Sequence, residues 1–249
     1  MNKGDVYPSG DGDLEVVKYI SALKVKVKFL STGYETTSQK GHIIKGSVKD
    51  KLKPHIHGVG FIGKGNYKSK VGGKTTEIYV CWVNMLNRCY CPKSQAKRPT
   101  YRGCSVSKEW HNFQNFAFWY EYQLKLLNPY IKYQLDKDIL LKGNKVYSKY
   151  LCNLVPHSIN KILTYDKISR GEHPVGVSYS KRDKRFQAQI NINSKVTYLG
   201  SYNSPNEAFL VYKEAKEYNL YKQALICYKN NEISKEVYEA LLAWKITGL

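Results

Sequence analysis

Between Cys81 and Asn160 the chain runs through tryptophans, cysteines, an Asp-Lys-Asp triplet and a closing Asn, in an order that no single amphipathic period explains. The first half of this block is helical in pattern. In residues 77–92, Ile78, Trp82, Met85, Leu86 and Cys89 recur at helical spacing and predict one buried face, and Pro92 helps to end the helix. A basic loop, KSQAKRPTYRG, leads to VSKEWHNFQNFAFWYEYQLKLL, where Trp110, Phe113, Phe116 and Trp119 make an aromatic stripe. A stripe at that spacing fills a core sooner than it stacks on bases. The second half changes character. YQLDKDI reads as a strand, a loop with Gly143 and Asn144 follows, and VPHSINKIL reads as a helix with Pro156 in its first turn.

The flanks are patterned differently. Residues 1–13 (MNKGDVYPSGDGD) are polar and Gly-rich and read as a flexible arm. Residues 14–75 are strand-like: Val25, Val27 and Phe29 alternate with Lys24, Lys26 and Lys28, which predicts a half-exposed strand with a basic outer face. The glycines of GVGFIGKGNY match neither a dinucleotide fingerprint nor a Walker loop, so this β-rich module is not expected to hold a nucleotide. His55 and His57 would share one strand face and read as surface histidines near a turn. Past residue 172, VGVSY, RFQAQI and VTYLG are three short strand candidates, with SKRDKR and NINSK as turns. In SPNEAFLVYKEAKEYN, Ser204 is the expected N-cap, Pro205 suits the first turn, and Glu207 completes a capping box. Ala208, Val211, Ala215 and Tyr218 form its predicted buried stripe. A last helix near 232–245 carries Ile233, Val237, Leu241 and Trp244 on one side.

Lys and Arg number 40 against 20 acidic residues, a formal charge of +20. Such an excess points to a polyanion, with binding that weakens steeply with salt. An acidic host protein is the other partner this charge could capture. No apolar run reaches bilayer-spanning length and the N-terminus has no signal pattern, so no membrane partner and a cytoplasmic location are expected. Six cysteines in such a chain argue for free thiols. Cys89, Cys91, Cys104 and Cys152 supply four thiolates for a structural Zn²⁺, but without the paired knuckles of common zinc folds.

The block 81–160 as a whole resembles the HNH (ββα-metal) endonucleases carried by bacteriophages, many of them homing-type enzymes. The resemblance implies two strands and a helix gripping one divalent ion, Mg²⁺ or Mn²⁺, and a bacterial host cell during phage infection as the setting. It places the acidic ligand at Asp136, with Asp138 as the alternative, and the helical ligand at Asn160. CNL at 152–154 matches the Asn-Leu that precedes this helix in the family. The family's general-base His would follow the aspartate, where this chain has Lys137. Three readings stay open: His157 or His111 takes over as base, Lys137 holds the scissile phosphate, or the centre is inactive.

Residues 172–220, through GVSY, RFQAQI, YLGSY and EAFLVYKEAK, resemble the APETALA-type (ethylene-response-factor) DNA-binding domain, whose open sheet face enters the major groove. Arg182, Lys184, Arg185, Gln187, Gln189 and Lys195 are the implied DNA contacts. Alternation puts Arg185, Gln187 and Gln189 on one face and Phe186, Ala188 and Ile190 on the other. The expected architecture is α+β: a flexible arm at 1–13, a β-rich module at 14–75, an HNH-like ββα core with aromatic-rich helices at 76–165, a three-stranded antiparallel sheet plus helix at 172–225, and a C-terminal helix at 230–249. The expected function is a metal-dependent endonuclease acting on double-stranded DNA, as a monomer or homodimer. The alternative is a catalytically inactive DNA-binding protein serving as a phage regulator or anti-defence factor.

Overall fold

The computed structural model describes residues 1–163, 172–192 and 195–247. The fold is α+β, with several small sheets and helices between them. The elements are β1 (Val6–Tyr7), β2 (Leu14–Ser21), β3 (Lys24–Phe29), β4 (Glu35–Ser38), α1 (Lys40–Ile44), β5 (Lys70–Val71), β6 (Lys74–Thr75), α2 (Glu77–Tyr90), α3 (Pro92–Lys97), β7 (Ser105–Val106), α4 (Lys108–His111), α5 (Phe113–Lys125), β8 (Tyr133–Asp136), β9 (Val146–Tyr147), β10 (Asn153–Pro156), α6 (His157–Leu163), β11 (Val177–Ser180), β12 (Arg185–Ile192), β13 (Lys195–Tyr202), α7 (Pro205–Lys229) and α8 (Lys235–Leu242). They divide into two compact units: residues 1–120 with 145–148, and residues 121–144 with 149–249. The segment 76–165 thus contributes to both.

In the first unit β1 to β4 form an antiparallel sheet in chain order. Val25, Val27 and Phe29 of β3 are wholly buried while Lys24, Lys26 and Lys28 are exposed, as the alternation requires. Leu14, Val16 and Ile43 close that core, each such side chain contributing about 1.5–3 kcal/mol by burial. Residues 1–13, read from sequence as an arm, carry β1 and the buried carboxylate of Asp11. Asp11 accepts the Asp50 amide at 2.9 Å and lies within 3.6 Å of Lys49 and 3.4 Å of His55. Paired in this way, an acid deep in a β-module is tolerated.

α2 starts at Thr76, whose hydroxyl accepts the Tyr79 amide, and buries Trp82, Met85, Leu86 and Cys89. Pro92 does more than end it: Pro92 opens α3 inside the stretch read as a basic loop. The second aromatic helix is interrupted. Asn112 is extended (φ −81°, ψ 117°) because Phe61 inserts a strand-like bridge there, its amide bonding the His111 carbonyl and its carbonyl accepting the Phe113 amide. Trp110, Phe113 and Phe116 are nearly or fully buried and Trp119 is buried at 8% exposure, so the stripe is core. The Trp82 indole N–H donates to the Trp110 carbonyl at 2.7 Å. The glycines near Phe61 answer to packing: a Cβ on Gly60 would lie 2.5 Å from Leu86 and 3.1 Å from Trp82.

In the second unit, β8 and β10 pair antiparallel with Asp136 opposite Asn153 and Gln134 opposite Val155, and α6 follows directly on β10. β11, β12 and β13 form an antiparallel sheet in that order. Part of the second predicted turn, residues 193–194, lies outside the described residues. One extra residue, Leu199, bulges from β13 between the Ala188–Gly200 and Gln189–Tyr198 pairs. Gly176 enters the sheet at φ +77°, where a Cβ would meet the Tyr212 ring at 2.0 Å, so no other residue fits.

α7 is capped by Ser204, whose hydroxyl accepts the Glu207 amide at 3.2 Å. It runs on to Lys229, well past the expected end, because nothing in NLYKQALICYK breaks a helix. Its first turns, Ala208 and Tyr212, pack under Ala188 and Ile190 of the sheet. Its last turns, Leu220, Ala224 and Cys227, join Val155, Ile159, Val237 and Leu241 around the ββα element and α8. One helix therefore serves two cores within this unit.

Candidate metal and nucleic-acid site

β8 and β10 present the residues around Asp136, and α6 adds those at its N-terminal turns. Leu135 points into the core, so its neighbours Gln134 and Asp136 share the opposite face of β8. Asp136 Oδ1 accepts two backbone amides, from Asp138 and Ile139, each at 2.8 Å. This side-chain turn folds the chain sharply after the strand. No described residue donates to Oδ2. Burial raises the Asp136 pKa, outweighing the two amide bonds that favour the carboxylate.

Lys137 offsets only a small part of that cost. Its side chain is nearly buried, and its Nζ lies 2.7 and 2.8 Å from the two carboxylate oxygens of Asp138 and 2.6 Å from the Asn144 carbonyl oxygen. An ammonium has three hydrogens, and three acceptors surround this one. Asn144 returns the contact, its amide donating to the Lys137 carbonyl at 2.8 Å. Lys137 and Asn144 thus tie the strand end to its loop. Asp138, the alternative acidic position, is engaged by Lys137 through both oxygens.

His157 and Asn160, one turn apart at the start of α6, face β8 through Gln134. The Asn160 amide donates to Gln134 Oε1 at 2.7 Å, and Gln134 Nε2 lies 2.9 Å from His157 Nδ1. Sequence reasoning missed Gln134, although the period of two from Asp136 points straight to it. Asn144 carried no comparable signal, since its partner is a backbone carbonyl. The structure places Asp136 and the Gln134 partner of Asn160 on one strand face about 6.6 Å apart along the strand. His111 belongs to the first unit, where its Nε2 meets the Val106 carbonyl at 3.1 Å and the Tyr90 hydroxyl at 3.3 Å. Burial pushes its pKa down.

A divalent cation would find one carboxylate and one side-chain amide here. Mg²⁺ sites commonly use one or two carboxylates, several waters and the substrate phosphate, so this donor set fits a hard cation. Among the described residues no group of three or more His, Cys, Asp and Glu is placed to hold a metal. All six cysteines are free thiols, with Cys89, Cys104, Cys152 and Cys227 buried.

On the three-stranded sheet, Phe186, Ala188 and Ile190 pack toward α7 while Arg185, Gln187 and Gln189 alternate on the other face. Arg185 Nη2 donates to Asn203 Oδ1 at 2.9 Å and Gln187 Nε2 to Asp183 Oδ2 at 3.3 Å. The Arg182 side chain is 88% exposed and pairs with Asp183. Lys184 sits at the turn in a left-handed conformation (φ 52°), and Lys195 opens β13, exposed. Ser178, Ser201, Tyr198 and Val196 are the cross-strand neighbours of Gln187, Gln189 and Asn191.

No protein-family model, curated protein or solved structure matches the chain. No described helix is long and apolar enough to cross a membrane.

Proposed function

We propose that this protein is a DNA-binding endonuclease of the ββα-metal type, which grips double-stranded DNA with the open face of β11–β13 and cleaves a phosphodiester at the Asp136 site. The observation that carries this reading is the carboxylate of Asp136. It is desolvated, its Oδ1 is committed to two amides, and the nearest lysine is turned to Asp138. A half-buried carboxylate whose desolvation is not fully offset is the condition a divalent ion relieves. The order strand, loop, strand, helix around it is further support.

Asp136 and Asn160 would hold Mg²⁺ or Mn²⁺. When bound, the ion polarises the phosphate and promotes loss of a proton from the attacking water. Hydrolysis then adds water across one P–O bond. Lys137 keeps Asp138 and the Asn144 loop in place beneath the site. Arg185, Gln187 and Gln189 face outward with groups suited to guanine and adenine edges, while Arg182, Lys184 and Lys195 face phosphates.

The test is nicking of supercoiled plasmid with Mg²⁺ or Mn²⁺, with chelator, and with Asp136→Ala and Asn160→Ala. Metal-dependent nicking lost in both variants supports the enzyme. A second reading, a non-catalytic DNA-binding regulator, is favoured by one observation: the residue after Asp136 is a lysine with every ammonium hydrogen near an acceptor. DNA binding without nicking by the wild-type protein would select it. Absence of both would leave capture of an acidic host protein as the use of the charge.

A further inference from the structure

The contact between α6 and β8 fixes more than geometry. The Asn160 side-chain NH₂ donates to Gln134 Oε1 at 2.7 Å, and this turns the Gln134 NH₂ toward His157. Gln134 Nε2 lies 2.9 Å from His157 Nδ1. An amide NH₂ can only donate, so Nδ1 must accept. In a neutral imidazole the one proton then sits on Nε2, at the far edge of an exposed ring.

We infer that Gln134 is a positioning residue that holds His157 as the neutral Nε2–H tautomer, so that His157 meets the DNA as a hydrogen-bond donor to a phosphate oxygen and not as the base that deprotonates water. This rests on the nuclease reading and deepens it. The strand position after Asp136 supplies no base, and the helix supplies a donor in its place. The role requires no proton transfer: the N–H points at charge that grows on a non-bridging oxygen as water attacks. Water activation would fall to a divalent ion held by Asp136 and Asn160.

The test uses the full-length protein with ¹⁵N-labelled histidine, observed at mildly alkaline pH, with His157→Gln to assign the signals. The expected wild-type spectrum has an unprotonated Nδ1 and a protonated Nε2 for His157. In Gln134→Glu the carboxylate only accepts, so the proton moves to Nδ1 and the pattern reverses. Gln134→Met should give a mixture. In the nicking assay Gln134→Glu should be roughly tenfold to a hundredfold slower at saturating DNA, because the outward donor is lost. A wild-type Nδ1 that carries the proton, or a Gln134→Glu protein that nicks as fast as wild type, overturns the inference and leaves the nuclease reading standing. A wild-type protein that never nicks removes the phosphate role and the nuclease reading together, whatever the nitrogen spectrum.

Discussion

Replacing Lys137 with methionine removes an ammonium that reaches Asp138 Oδ1 at 2.7 Å, Asp138 Oδ2 at 2.8 Å and the Asn144 carbonyl at 2.6 Å. Methionine keeps the apolar stem, so the packing loss is small. The cost lies with the acceptors. Losing the bond to the Asn144 carbonyl, in a residue only 6% exposed, costs about 1 kcal/mol. Orphaning a buried carboxylate costs about 3–5 kcal/mol, but the Asp138 side chain is 42% exposed and water recovers most of that, leaving about 1 kcal/mol. The total of about 2 kcal/mol lowers the melting temperature of a unit this size by roughly 6–10 °C. The assay is thermal unfolding by circular dichroism, beside nicking at a temperature where both proteins are folded. The expected result is a lowered midpoint with nicking retained within about threefold, the ordinary margin for a residue that makes no contact with the reacting atoms. An unchanged midpoint together with abolished nicking would refute this reasoning, because it would mean that the ammonium spends its charge on the phosphate.

Gln114 is buried, donates to the Ile62 and Tyr67 carbonyls at 3.1 and 3.0 Å, and accepts the Tyr67 amide at 2.9 Å. Gln114→Leu should therefore cost about 3 kcal/mol, read as a lower urea midpoint at unchanged slope. Arg185→Ala should weaken binding to one preferred DNA site by ~1–3 kcal/mol in competition assays at fixed salt, whereas equal losses on all sequences would make it a phosphate contact. Burial opposes ionisation of Asp11, but the Asp50 amide and the charges of His55, Lys49 and Lys53 outweigh it and hold its pKa below the ordinary carboxylate value. A folded pKa below the unfolded one contributes stability above the unfolded pKa and loses it as pH falls through the folded pKa. Asp11→Asn should thus be less stable than wild type at neutral pH, and the gap in denaturant midpoint should close in acid.

What the sequence displays well is whatever repeats locally. The Val-Lys alternation of β3, the aromatic stripe ending at Trp119 and the Ser204 cap of α7 all depend on neighbours within a few residues. What it hides depends on partners far along the chain. Asn112 breaks the aromatic helix only because Phe61 arrives beside it. Residues 1–13 look like an arm because nothing local reveals that Asp11 will meet Asp50, Lys49 and His55. At the candidate site Asp136, His157 and Asn160 were legible as a motif, and Gln134, which links two of them, could be reached only through the strand period of two from Asp136. Lys137 was visible as a departure from the pattern that the resemblance implies; its three acceptors were not, since one is a backbone carbonyl.

The continuity of α7 gives the nuclease reading a consequence in base pairs. From Ala208 under the sheet to Ala224 under the ββα element, a helix advances about 24 Å at 1.5 Å per residue. That is about seven steps of B-DNA at 3.4 Å each. No Gly or Pro interrupts residues 206–229, and both ends of the helix are packed, so the two cores cannot drift apart along it. If the sheet reads bases while the Asp136 site cuts, the scissile bond must fall at one narrow offset from the bases that are read. Mapping the cut ends against the protected site should give a single sharp position. Glycine at the exposed positions Glu214 and Tyr218 costs about 1 kcal/mol each and loosens the middle of the helix, and should spread the cuts over several neighbouring bonds. A wild-type protein whose cuts already scatter would show that the helix does not couple recognition to cleavage, and the reason for one helix spanning both cores would then be stability alone.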